Sequence, residues 1–170
     1  NQTKITDPFN LEVNYHYDSS SRLDTVTVEG KTFTYAYYPD GMIQSVTYPT
    51  LNNGQQLREE FTYDQGNRLQ TVVNKIGTQV ISQYSYTYDW QGNILTGSKD
   101  GQTSQYEYDE LNRLEMTRRA DGKDTSYWFD NRGNHSQVTG QNDQITPGEY
   151  TFNQWEQLTQ ITKDGQTYNY

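Results

Sequence analysis

Glu60-Phe61-Thr62-Tyr63-Asp64-Gln65-Gly66-Asn67-Arg68-Leu69 is the stretch whose chemistry sets the architecture of this chain. Phe61 and Tyr63 alternate with Thr62, which puts aromatics on one face of a strand. Asp64 is placed to accept hydrogen bonds from N–H groups just ahead of it, and Gly or Asn three residues on tolerates the left-handed region. Leu69 then starts a second apolar pattern, so the stretch reads as strand, tight turn, strand. The pulse returns at residues 14–23, 34–43, 86–95, 106–115, 127–136 and 150–159. Its central aromatics are Tyr17, Tyr37, Tyr63, Tyr88, Tyr108, Phe129 and Phe152, and Asp18, Asp64, Asp89, Asp109 and Asp130 follow five of them. Successive spacings are 20, 26, 25, 20, 21 and 23 residues, and Tyr168-Asn169-Tyr170 opens a further copy. A period of this size marks stacked units that cannot bury an apolar face alone.

Second strands follow as Leu23-x-x-Val26, Ile43-x-x-Val46, Leu69-x-x-Val72 and Leu158-x-x-Ile161. A spacing of three breaks strict alternation and predicts a bulge or a strong twist. Return turns are expected at Glu29-Gly30, Asn53-Gly54, Ile76-Gly77, Asp100-Gly101, Asp121-Gly122, Asn142-Asp143 and Asp164-Gly165, several of them strong hairpin signals. The excursions at 48–60 and 139–149 read as lengthened loops. No helical period is sustained, and Thr, Val and Tyr suit strands. The expected fold is all-β: about fourteen short antiparallel strands, two per repeat, forming hairpins in a twisted, curved strip. Residues 1–170 read as a single array of about seven repeats. Neither end has the polar character of a capping repeat, so the chain is expected to be cut from a longer array.

Tyr108-Asp109-Glu110-Leu111-Asn112-Arg113-Leu114, Tyr63-Asp64-Gln65-Gly66-Asn67-Arg68-Leu69 and Tyr17-Asp18-Ser19-Ser20-Ser21-Arg22-Leu23 share the pattern Y-D-x-x-[GN]-R-L, with Ser21 departing at the Gly/Asn position. The pattern resembles the tyrosine–aspartate (YD, or Rhs) repeat family of bacterial Rhs proteins, insecticidal toxin complex C components and teneurins. Asp7-Pro8-Phe9-Asn10 looks like the turn ending a preceding copy, so the likeness covers essentially the whole chain. Tyr38 and Asn153 stand in place of Asp, His135 in place of Leu, and Glu156 at the Gly/Asn position. The resemblance implies β-hairpins spiralling into a large hollow shell that often encloses a toxic C-terminal domain. It implies that self-cleaving and toxic segments lie elsewhere.

Bulk composition agrees with a thin scaffold. Only 31% of residues are hydrophobic, against roughly 45–50% in ordinary domains, yet 16 Tyr, 5 Phe and 3 Trp argue against disorder. A net charge of −9 disfavours nucleic acid and anionic membrane as partners. No apolar run is long enough for membrane insertion as a helix. Without Cys there is neither a disulfide framework nor a thiolate metal site. Asn/Gln-rich composition reads as bacterial, and a secreted or cell-surface location is expected.

No cofactor, metal or catalytic residue is assigned. The repeated Asp residues are read as turn caps rather than acids or ligands, because one residue type recurs at one turn offset. Arg22, Arg68 and Arg113 are placed to pair with them across the turn. A calcium loop at Asp130-Asn131-Arg132-Gly133-Asn134 would lack the spaced carboxylates and the terminal Glu of an EF-hand. Glu59/Glu60, Glu107/Asp109/Glu110 and Asp121/Asp124 offer neighbouring carboxylates for hydrolysis, but acidic side chains are abundant here and mostly solvated. His16 and His135 fit no Ser/His/Asp order. Trp90 and Trp128 are the candidate glycan platforms, weighed against packing on a neighbouring coil.

Two functions remain. One is a non-catalytic wall segment of a YD-repeat shell, partnered by the rest of the shell and an enclosed toxin or effector. The alternative is a cell-surface adhesin or carbohydrate-binding module with glycans as partner. Fourteen strands at about 4.8 Å give a strip about 67 Å long, about 21 Å across if closed. A 100-residue cargo with a radius of gyration of about 13 Å needs more room.

Overall fold

The computed structural model describes residues 1–140 and 148–170. Among them lie β1 (Lys4–Thr6), β2 (Glu12–Tyr17), β3 (Leu23–Val28), β4 (Lys31–Tyr37), β5 (Ile43–Thr47), β6 (Leu57–Tyr63), β7 (Leu69–Ile76) and β8 (Gln79–Tyr88). They continue as β9 (Ile94–Lys99), β10 (Gln102–Tyr108), β11 (Leu114–Arg118), β12 (Thr125–Phe129), β13 (His135–Gly140), β14 (Gly148–Phe152), β15 (Leu158–Lys163) and β16 (Gln166–Asn169). No helix occurs among the described residues, and the strands follow one another in sequence order as an antiparallel sheet. The all-β hairpin repeat is therefore the fold. The count is sixteen rather than about fourteen because β1 and β16 come from partial copies flanking the seven hairpins.

The chain divides into two compact units, residues 1–86 with 99–101 and residues 87–98 with 102–170. In the first, Tyr17 lies opposite Leu23 and Tyr15 opposite Val26, leaving Asp24 as an extra residue. Tyr37 and Tyr35 meet Ile43 and Val46 in the same way, and Tyr63 and Phe61 meet Leu69 and Val72. In the second unit Phe129 and Tyr127 meet His135 and Val138, and Phe152 and Tyr150 meet Leu158 and Ile161. The bulge expected from the Leu-x-x-Val spacing is present, and it has a purpose. One extra residue lets Leu and Val share a face despite their spacing of three, so each meets its own aromatic.

The other face is hydroxyl-rich. Thr27 and Thr32 (3.1 Å), Thr62 and Thr71 (2.7 Å), and Thr87 and Thr96 (2.6 Å) hydrogen-bond as cross-strand pairs. Without a second layer, few side chains leave solvent. Among the described residues only Ser45, Thr125, Tyr127 and Val138 are buried, and the repeat aromatics are half-buried.

In each unit the Asp-type turns of the seven hairpins lie along one edge of the strands and the return turns along the other. Glu29-Gly30, Asp100-Gly101 and Asp164-Gly165 have both residues at positive φ (47° and 73°, 51° and 85°, 51° and 75°). That is the type I′ geometry that matches strand twist. One expected turn is displaced: Ile76 pairs with Gln79, so the turn residues are Gly77-Thr78 rather than Ile76-Gly77. Gly77 alone has positive φ there, at 59°, because a two-residue loop with Gly first adopts the II′ form. Asn53-Gly54 and Asp121-Gly122 fall inside the longer connections 48–56 and 119–124. Asn142-Asp143 and most of the 139–149 excursion lie outside the described residues.

Candidate functional site

The Asp-type turn is the recurring chemical unit. Asp64 Oδ1 accepts from Gly66 N–H (2.8 Å) and Arg68 N–H (3.0 Å), while Oδ2 accepts from Arg68 Nε (2.8 Å). Asp18 and Asp109 repeat this set with Arg22 and Arg113. Asp89 and Asp130 do so with Asn93 and Asn134 as the side-chain partner. Asp7 makes the two backbone bonds at the opposite edge. The main chain closes each turn independently: Asp64 N–H donates to Arg68 O and Asn67 N–H to Asp64 O. The pair survives where Tyr38 or Asn153 replaces Asp.

The fourth turn residue is left-handed throughout, at Asn67 (61°), Asn112 (60°), Gly92 (99°) and Gly133 (91°), and also at Ser21 (62°) and Glu156 (63°). The last two hold that conformation against Cβ crowding.

These bonds fix the electrostatics. In Asp18, Asp64 and Asp109 the backbone N–H of the Arg four residues on is the largest influence, and the carboxyls sit below the usual range. In Asp89 and Asp130 desolvation pushes upward, but the Asn side chain and the backbone donors together outweigh it and the pKa is lowered. Both Asp130 oxygens accept hydrogen bonds within the turn, as those of a cap do. Among the described residues no three His, Asp or Glu side chains form a metal-holding group.

Contacts between successive repeats are as regular as the caps. Tyr37 Oη donates to Leu23 O (2.6 Å), Tyr63 Oη to Ile43 O (3.0 Å), Tyr108 Oη to Ile94 O (3.0 Å) and Tyr17 Oη to Gln2 O (3.0 Å). Tyr37, Tyr63 and Tyr108 thus latch onto the Leu-position carbonyl of the repeat before them. Burial raises the phenol pKa of Tyr37, Tyr63 and Tyr108, keeping the donor protonated. The turn arginine adds a second contact: the Arg22 guanidinium carbon lies 4.7 Å from the Tyr37 ring centroid and Arg113 4.3 Å from that of Phe129. Tyr38, out of pattern as a cap, donates through Oη to Phe61 O (2.9 Å). Sequence reasoning placed the aromatics and the Asp–Arg pairs but missed the latch. Its one signal was the choice of Tyr over Phe at five of the seven central positions.

The remaining candidates disperse. Glu59 and Glu60 are consecutive strand residues and point to opposite faces, Glu60 held by Lys75 at 2.6 Å. Glu107 pairs with Arg118 (2.8 Å) and Asp121 with Arg119 (3.0 Å). His16 Nδ1 meets Asp24 Oδ1 at 2.6 Å, and the His135 ring lies 4.7 Å from that of Phe129. Trp90 is 90% exposed in its turn, whereas Trp128 is 44% exposed and faces away from buried Tyr127. Trp155 and Leu111 share one turn position and are both 71% exposed.

The family model for the teneurin YD-shell matches residues 41–170. Among solved structures, the crystal structure of TcdB2-TccC3-Cdc42 superposes with a TM-score of 0.71 at 17% identity, covering 93% of this chain and 9% of that one. The crystal structure of TcdB2-TccC3-TEV gives the same TM-score and identity, covering 94% and 10%. The chain therefore spans about a tenth of the length of the structures it resembles. No curated protein sequence matches it.

Proposed function

This chain belongs to the teneurin YD-shell family, and from that premise we propose that it is a non-catalytic wall segment of a larger YD-repeat shell. The observation that carries the reading is the repeat-to-repeat joint. A Tyr hydroxyl ties the repeat to the one before it at Tyr37, Tyr63 and Tyr108, and a turn Arg does so at Tyr37 and Phe129, while the sheet leaves its aromatic face half-buried. Among the described residues the repeated Asp and Arg side chains serve turns and the latching Tyr hydroxyls serve joints, which suits a wall built for extension. Residues 1–170 are proposed to act as one stretch of repeats, with the remainder of the array as the immediate partner. An enclosed C-terminal toxin or effector is the proposed cargo. The proposed location is secreted or at the surface of a bacterial cell.

The test is the full-length reading frame. Expressed whole, a C-terminal domain unrelated to the repeats should resist a proteinase that degrades the same domain expressed alone. Immediate digestion of that domain in the full-length protein would exclude enclosure. The adhesin alternative is favoured by one observation, the exposed indoles of Trp90 and Trp128. It requires glycan-array binding that is lost in Trp90→Ala or Trp128→Ala.

A further inference from the structure

We propose that the loop joining β11 to β12 is a proteolytic processing site, cut after Arg119 by a serine proteinase that recognises paired basic residues. Arg118-Arg119 is the only adjacent basic pair in the chain, and Ala120, Asp121, Gly122 and Asp124 beyond it are exposed. The loop is closed by a main-chain bond from Gly122 N–H to Arg119 O (3.0 Å) and by its own acidic side chains. Asp124 Oδ1 accepts from Arg119 N–H (3.1 Å), Asp121 Oδ1 from Lys123 N–H (3.1 Å), and Asp121 Oδ2 pairs with the Arg119 guanidinium (3.0 Å). A proteinase that offers a carboxylate in its own pocket replaces Asp121 as the partner of that guanidinium.

Accessibility alone does not select a bond, because a proteinase needs several residues drawn out in extended form. The flanking joint supplies that freedom. Only two residue pairs, Met116 with Ser126 and Thr117 with Thr125, hold β11 to β12. By contrast four hold β3 to β4 and six hold β7 to β8. Phe129, the central aromatic of this joint, has no hydroxyl to latch the Leu114 carbonyl as Tyr63 latches that of Ile43. Five other basic residues are held locally. Arg22, Arg68 and Arg113 are tied to their cap carboxylates, and Lys31 and Lys163 lie in ladder pairs beside two-residue turns.

Hydrolysis adds water across the Arg119–Ala120 peptide bond, leaving a carboxylate on Arg119 and an amine on Ala120. Residues 1–119 separate covalently from 120–170, and the cut falls on a seam held by two ladder pairs, as few as hold β13 to β14. The inference concerns this loop and holds whether or not the wall encloses a cargo.

The test is timed digestion of the purified chain with trypsin and with a subtilisin-like proteinase requiring paired basic residues, followed by mass spectrometry. The first products expected from both are residues 1–119 and 120–170. The double variant Arg118→Gln/Arg119→Gln, checked for an unchanged circular dichroism spectrum, should resist the paired-basic enzyme entirely. Phe129→Tyr, which supplies the missing hydroxyl, should slow the first cut about fivefold if the new bond has the usual net strength. A first cut at any other basic residue would overturn the proposal, as would an intact loop while other sites are cleaved. A Phe129→Tyr rate equal to the parent's would overturn the part assigned to joint opening.

Discussion

The β5–β6 joint and the β11–β12 joint both carry long connections, residues 48–56 and 119–124, yet different forces close them. At β5–β6 three ladder pairs are backed by directional bonds: Tyr63 to the Ile43 carbonyl, Tyr38 to the Phe61 carbonyl, and Arg58 to buried Ser45 at 3.2 Å. At β11–β12 the ladder is shorter and Phe129 donates nothing, but Tyr127, Thr125 and Val138 form the buried cluster of that unit and Arg113 covers the Phe129 ring. A joint in a one-layer sheet can therefore rest on hydroxyl-to-carbonyl bonds or on local packing. The packed joint gives up the geometric lock.

Four measurements test whether the two joints differ in this way. Tyr127→Ala should be the most damaging single change, costing about 3–5 kcal/mol as large-to-small substitutions at buried aromatics do. Tyr35→Ala, the half-buried counterpart two residues before Tyr37, should cost clearly less in the same urea titration. Equal losses would erase the distinction between packed and bonded joints.

Acid should weaken both regions together, because the caps are common to them. The folded carboxyls of Asp18, Asp64, Asp89, Asp109 and Asp130 lie below their ordinary value of 3.8. Their contribution is thus complete above that pH and is lost as pH falls through the lower folded values. Melting temperature followed from neutral pH to pH 2 should drop steeply only in the acid limb. Asp64→Asn should keep the turn, as Asn153 does through its bonds to the Trp155 and Gln157 N–H groups, and should flatten that limb.

Exchanging the latches is the most direct probe. Tyr63→Phe should cost about 1 kcal/mol, the net worth of one hydrogen bond. Phe129→Tyr should return a similar amount to the joint that lacks one, and urea midpoints shifting in the same direction would sink the latch. The smallest effect is expected at a turn: Glu156→Gly should gain about 0.5–1 kcal/mol, since relief of the left-handed strain exceeds the added freedom of the unfolded chain. A lower melting temperature in that variant would count against strain at φ 63°.

Much of this was legible in the sequence because the repeat displays its own periodicity. Phe61 and Tyr63 gave the strand face, Asp18 and Arg22 the cap, and Leu23-x-x-Val26 the bulge, since each follows from chain-local stereochemistry. What escaped was the partner of each Tyr hydroxyl, which lies in the preceding repeat, 14 residues away for Tyr37 and 20 for Tyr63. Local patterning carries no record of a contact whose sequence distance varies. The double role of Arg22 and Arg113 escaped for the same reason. The Ile76-Gly77 turn was misplaced by one residue because a Gly-first loop and a Gly-second loop look alike until the pairing of Ile76 with Gln79 is known. Trp90 and Trp128, the candidate glycan platforms, are both exposed, but exposure alone names no ligand.

The Asp-type turn has a consequence for how such a chain can change length. From each central aromatic to its Leu position is six residues in all seven copies: Tyr17 to Leu23, Tyr63 to Leu69, Phe129 to His135 and the rest. The interval from there to the next aromatic varies, from 14 residues between Leu23 and Tyr37 to 20 between Ile43 and Tyr63. One edge of the sheet is thus a ruler and the other a margin. Added sequence, whether by evolution or by an engineer placing a tag, will be absorbed at the return turns such as 48–56. The capped edge will admit substitutions but no insertion, since a single extra residue there would turn the following strand's apolar side to water.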